Sequence, residues 1–128
     1  MFFRRHDLVA DRLGALGLNP FPAQRLSQAG TLLDLPAGTR LCTEGERGTQ
    51  AFLLLEGRAE VHLADRTLEV GPGAVIGELA TVDVTRPRNA TVEAVEPIAL
   101  LVFDAGTFRS LAEDPELRPL LLPERAAA

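Results

Sequence analysis

Tryptophan and tyrosine are absent, and of the six phenylalanines only Phe52, Phe103 and Phe108 fall in the main body beyond the first turns. An aromatic platform for stacking nucleic-acid bases therefore has no support. Clustered positive charge is lacking too: thirteen basic residues are scattered along a chain of formal net charge -5, so the electrostatic footprint of a nucleic-acid binder is missing. The acidic balance reads as a solubility device. Cys42 is the only cysteine, which excludes an intrachain disulfide and fits a reducing compartment. It lies between Leu41 and Thr43 in a strand-like run, remote in sequence from His6 and His62, so it reads as a buried, inert thiol rather than a nucleophile. With only those two histidines, clustered metal donors are wanting and no metal site is expected. No apolar run approaches the roughly 20 residues that span a bilayer. The N-terminal MFFRRHDLVADRLG passes from two arginines into charged residues rather than an apolar stretch, unlike a secretory signal. The expected location is the cytoplasm, with no membrane partner.

What is present describes one domain. A length of 128 residues supports a single core, and 46% apolar with 24% charged residues is ordinary globular composition, so the chain should fold. From His6 to Gly17, Leu8, Val9, Leu13 and Leu16 recur at helical spacing, with Asp7 available as an N-cap or first-turn acid. Asn19-Pro20-Phe21-Pro22 breaks the chain, and residues 22–29 read as a second short helix with Pro22 at its first position. After Gly30, apolar runs shorten to four to seven residues punctuated by turn residues, the pattern of an all-β sandwich or barrel. Candidate strands are Thr31–Leu35, Arg40–Thr43, Ala51–Leu55, Arg58–Leu63, Thr67–Val70, Ala90–Ala94 and Ile98–Phe103. In Arg58–Leu63, apolar Ala59, Val61 and Leu63 alternate with Arg58, Glu60 and His62, which places His62 on a solvated face. Asp104–Glu113 reads as a helix with Asp104 as N-cap, stopped by Asp114-Pro115. Beyond it, Pro119 and Pro123 leave room only for a short last helix, with a frayed tail after Pro123.

The segment IGELATVDVTRPRNATVEA, residues 76–94, stands where most β proteins place only a tight turn. Gly77-Glu78-Leu79-Ala80 can form one helical turn whose free backbone N–H groups suit an anion. Eleven residues after Gly77 comes Arg88, whose planar guanidinium can donate two parallel hydrogen bonds to phosphate oxygens. Glu78 is an acceptor suited to a sugar hydroxyl, and Gly77 allows close backbone approach. Together these groups describe a site for a ribose phosphate. The competing reading is a surface ion pair between Glu78 and Arg88, worth about 0 to 1 kcal/mol.

At this point the chain resembles the cyclic nucleotide-binding domains of protein kinase regulatory subunits, nucleotide-gated channels and catabolite activator type transcription factors, from about Thr31 to Leu111. Residues 41–61, LCTEGERGTQAFLLLEGRAEV, are similar to the family's early strands, with Gly45, Gly48 and Gly57 at its glycine turns. Ile76-Gly77-Glu78-Leu79-Ala80, a loop, and Arg88-Asn89-Ala90-Thr91 resemble its phosphate-binding cassette. The resemblance implies a mainly β fold: an antiparallel β-roll, or jelly roll, of about eight short strands between short N-terminal and C-terminal helices. Residues 1–29 are then a helical segment packing on the roll, 30–114 the nucleotide-binding roll, and 115–128 a short helix or frayed tail. It also implies that cAMP or cGMP is the ligand, with Glu78 on the ribose 2'-hydroxyl and Arg88 on the cyclic phosphate. Gly77, Asn89 and the backbone amides of Leu79, Ala80 and Ala90 complete the set.

Three positions depart from the family pattern: Ala51 replaces a larger apolar residue, Thr81 an apolar one, and Asn89 a Ser, Thr or Ala. Asn89 keeps an amide donor but leaves the preferred base open. The family's long final helix has little counterpart here, and no helix-turn-helix follows. The expected role is a regulatory sensor acting through a protein partner, without catalytic residues or a cofactor, in an oligomeric state left open. The alternatives are a β-roll that has lost nucleotide binding and serves interaction or structure, and a cupin-like metal enzyme, for which the histidines are too few.

Overall fold

Two stretches, AFLLL and IALLVF, are apolar without alternation, so each needs partners on both faces. The computed structural model, which describes residues 5–78 and 85–122, supplies them by making both stretches inner strands between two layers. Two helices, α1 (Arg5–Ala15) and α2 (Pro20–Ala29), precede eight strands. These are β1 (Thr31–Leu35), β2 (Arg40–Cys42), β3 (Gln50–Glu56), β4 (Ala59–His62), β5 (Thr67–Val70), β6 (Val75–Ile76), β7 (Thr91–Ala94) and β8 (Ile98–Asp104). Two more helices, α3 (Ala105–Ala112) and α4 (Arg118–Leu121), close the described chain.

The strands form two antiparallel sheets, ordered β1-β8-β3-β6 and β2-β7-β4-β5. Period-two alternation sorts the residues of β3 and β8. Phe52, Leu54, Ile98 and Leu100 point into the roll, where they meet Val61, Val92 and Ala94 of the other sheet. Ala51, Leu53, Leu55, Leu101 and Phe103 point outward, under Val9, Leu13, Leu26 and Phe108 of the helices. The mainly β, antiparallel roll with flanking helices is therefore the architecture, with one core inside it and a second between it and the helices.

Ala51 has a packing reason. It is the register partner of Phe103, whose ring sits 6.4 Å from that of Phe108 at a 57° tilt. Gly30 is equally constrained, since a Cβ there would come within 2.8 Å of the Phe103 ring. Small residues on two sides make room for the aromatic pair.

The helix ends correct one expectation. The second helix begins at Pro20, after Asn19, and not at Pro22. Both prolines fit, because the N–H groups of a helix's first turn have no intrahelical acceptor, and Pro20 presets the first helical φ. Asp104 caps α3 as expected, accepting from the Thr107 amide at 2.8 Å. Pro119 stands in the first turn of α4, where it is tolerated for the same reason, and Leu117 and Leu121 are fully buried around it. An Arg25–Asp114 ion pair ties α2 to the turn after α3. The tail after Pro123 lies outside the described residues.

Candidate functional site

Arg88 lies between two strands that leave it no ladder partner, and its backbone is instead pinned to the β2–β3 turn. Its N–H donates to Glu46 O at 2.8 Å, and its carbonyl accepts from the Gly45 N–H at 2.9 Å. The side chain is only 8% exposed. Its Nη1 donates to the Gly77 carbonyl at 3.0 Å and its Nη2 to the Gln50 carbonyl at 2.8 Å. These neutral acceptors fix the plane of the guanidinium without cancelling its charge.

Two glycines make this placement possible. Gly77 has φ +81, a conformation that side-chain-bearing residues rarely adopt, and a Cβ there would overlap Nη1 of Arg88. A Cβ on Gly48 would overlap the guanidinium from another side. The sequence assigns Gly77 to close approach of a ligand; the structure gives the close approach to Arg88.

Glu78 follows Gly77 and is 1% exposed. Burial pushes its carboxyl up from 4.5 to about 7, while its own backbone N–H and the charge of Arg88 pull weakly the other way. Cys42 is buried at the end of β2, and burial likewise raises its thiol, with Arg88 lowering it and Glu78 raising it. Buried cation, buried acid and thiol thus sense one another at one end of the roll. Burial of both Glu78 and Arg88 replaces the surface ion pair weighed from the sequence.

Of the other expected site residues, Ala90 is fully buried in the roll interior and Asn89 is exposed. Leu79 and Ala80, with the helical turn they were to complete and Thr81, lie outside the described residues. Beside Arg88 opens a cavity of about 350 Å³, lined by Arg40 to Thr43, Glu46 to Gln50, Phe52 and Arg88. Sequence reasoning missed Gln50, Arg40 and Arg47. Gln50 contributes a backbone carbonyl, which no side-chain pattern announces, whereas the arginines stand near the glycine turn and were legible only as scattered charge.

His62 meets Thr67 Oγ1 at 3.1 Å on the solvated side of β4. Among the described residues no group of three His, Cys, Asp or Glu could hold a metal ion, and no helix is long and apolar enough to cross a membrane.

The β-roll thus holds a buried arginine at the wall of a polar cavity, with a buried acid, Glu78, close enough to sense its charge. The cyclic nucleotide-binding domain model matches residues 32–114, and the chain belongs to that family. A Pycsar effector protein of Xanthomonas perforans is 31% identical over 84% of this chain and 34% of its own length. A cyclic nucleotide-gated potassium channel of Mesorhizobium japonicum is 33% identical over 99% of this chain and 37% of its own. Among solved structures, PKAR CBD2 with Sp-2Cl-cAMPS bound superposes with a TM-score of 0.75 at 22% identity, covering 85% of this chain and 77% of that one. The chain spans 23% to 37% of the length of the first curated relatives it matches.

Proposed function

We propose that this domain senses cAMP or cGMP, with Arg88 holding the cyclic phosphate and Glu78 the ribose 2'-hydroxyl. The observation that carries the assignment is the buried Arg88 guanidinium, oriented by two carbonyls beside an open cavity. Arginine has five N–H donors and two are so used, which leaves donors for a phosphodiester in the fixed plane that bidentate recognition requires. Gly77 and Ala90 shape the cassette, and Asn89 and the backbone amides of Leu79, Ala80 and Ala90 add donors.

Glu78 directly follows β6 and Gly77, and β6 pairs with β3 through Phe52↔Ile76 and Leu53↔Val75. The other face of β3 supports the helices. A ligand that holds Gly77 and Glu78 in one arrangement biases β6 and, through β3, the position of the helices, which is how binding reaches an effector. The domain carries no catalysis itself and acts on a protein partner in the cytoplasm.

Isothermal titration with cAMP and with cGMP tests this. One-site saturation with at least one nucleotide, accompanied by a raised melting temperature, is the expected result and ranks the two bases. No heat and no thermal shift with either would turn the assignment to an interaction or structural domain.

Gly48→Ala separates the site from the fold. Its Cβ displaces a side-chain tip rather than backbone. The loss of roughly one charge-assisted hydrogen bond is expected to weaken nucleotide binding about ten- to a hundredfold. Melting temperature should stay close to the parent's, which differential scanning fluorimetry reads directly.

A further inference from the structure

The chain is acidic overall, yet the cavity beside Arg88 is lined by three arginines, Arg40, Arg47 and Arg88, against the single carboxylate of Glu46. Arg40 and Arg47 are exposed, and among the described residues neither forms an ion pair. Three other arginines are paired, Arg12 with Glu56, Arg25 with Asp114 and Arg58 with Glu69, and none of these lines the cavity. Their placement is built into the strand. Between Arg40 and Cys42 the pairing with β7 shifts register, so that Leu41 and Cys42, consecutive residues, both pack on the roll interior while Arg40 stays at the rim. Glu93, the register partner of Arg40, is the acid that faces it across the sheet. Arg47 projects from the turn that also carries Glu46 and Gly48.

We infer that Arg40 and Arg47 form a positively charged mouth that steers the anionic nucleotide into the cavity and sets its association rate. The inference rests on the assignment of Arg88 and Glu78 to the nucleotide. Two exposed charges at the rim of a low-dielectric cleft concentrate field lines there, which offsets the repulsion an anion meets from the rest of this acidic surface. Being solvated, they act over about a Debye length, 8 to 10 Å at ordinary ionic strength, and need not touch the bound ligand. Arg88 fixes the phosphate, and the rim arginines raise the frequency with which it arrives.

Stopped-flow association of a fluorescent cAMP or cGMP derivative, whichever parent nucleotide binds more tightly, tests this with an Arg40→Gln/Arg47→Gln double variant. At about 20 mM salt the association rate should fall roughly three- to tenfold, and the difference should close by about 300 mM. The dissociation rate should remain within about twofold of the parent's. An Arg58→Gln/Arg109→Gln control removes the same net charge elsewhere and should leave most of the association rate intact. An unchanged association rate in the rim variant, an equal loss in the control, or a loss confined to faster dissociation overturns the steering role while leaving the nucleotide assignment standing. Failure of the parent chain to bind either nucleotide overturns both.

Discussion

Arg88→Ala is expected to weaken cyclic nucleotide binding by about a thousandfold, the equivalent of roughly 4 kcal/mol. The size follows from what the side chain combines: a permanent charge, two parallel donors, and an orientation set before the ligand arrives. The bonds to Gly77 O and Gln50 O mean that little side-chain freedom remains to be lost on binding. Arg88→Lys keeps the charge but not the planar fork, and its ammonium cannot meet two carbonyls and a phosphate in one plane. It should therefore recover only part of the loss, about tenfold. Folding responds less than binding: water can replace the guanidinium at exposed Gln50, which lines the cavity, whereas the buried Gly77 carbonyl loses its partner at a cost of about 1 to 3 kcal/mol. Titration calorimetry of both variants, with urea unfolding beside it, separates the two effects. Binding of Arg88→Ala within about threefold of the parent would place the phosphate elsewhere.

The parts of this fold legible in the sequence are those where side chains alternate or where turn residues leave few conformations. The β1 and β5 boundaries coincide with their apolar runs, and Asp104 announces α3 by its capping chemistry. The two-residue β6 escapes notice because Val75–Ile76 is too short to show any period, and only its pairing with β3 makes it a strand. Pro22 hid the true helix start, since two prolines two residues apart both suit a first turn. Glu78 and Arg88 stood out in the sequence by residue type and order, and the structure buries both, with Arg88 lining the cavity. What the sequence could not show is the agent that orients Arg88. One acceptor is the carbonyl of Gln50, separated from it by 38 residues, and backbone groups carry no sequence signature. Gly48 reads as a turn glycine and Gly77 as a point of close ligand approach, whereas in both the lack of a Cβ is what admits a guanidinium.

The pH dependence of Glu78 should push folding and binding in opposite directions. Its carboxyl is raised from 4.5 to about 7 in the folded chain, chiefly by burial. Below 4.5 both folded and unfolded states hold the proton, and the group has no differential effect on stability. Between 4.5 and about 7 the unfolded chain is ionised while the folded chain keeps its proton, so stability falls as pH rises. Above about 7 both states are ionised and the cost of burying the charge, about 3 kcal/mol, is fully present. Glu78→Gln should therefore leave stability near pH 4 little changed and raise it near pH 8, as urea unfolding at the two pH values measures. Binding runs the other way, because the ionised carboxylate is the stronger acceptor for a ribose hydroxyl. Below about 7 the folded chain must give up a proton to bind, so affinity falls by up to about tenfold per pH unit as the medium is acidified. Above that pH affinity should level off. Glu78→Gln should bind weakly with a flat profile over the same range. An affinity in the parent that is equally flat from pH 5.5 to 8.5 would mean that Glu78 meets the ligand uncharged or not at all. The domain would then gain nothing from holding an ionisable group where it destabilises the fold.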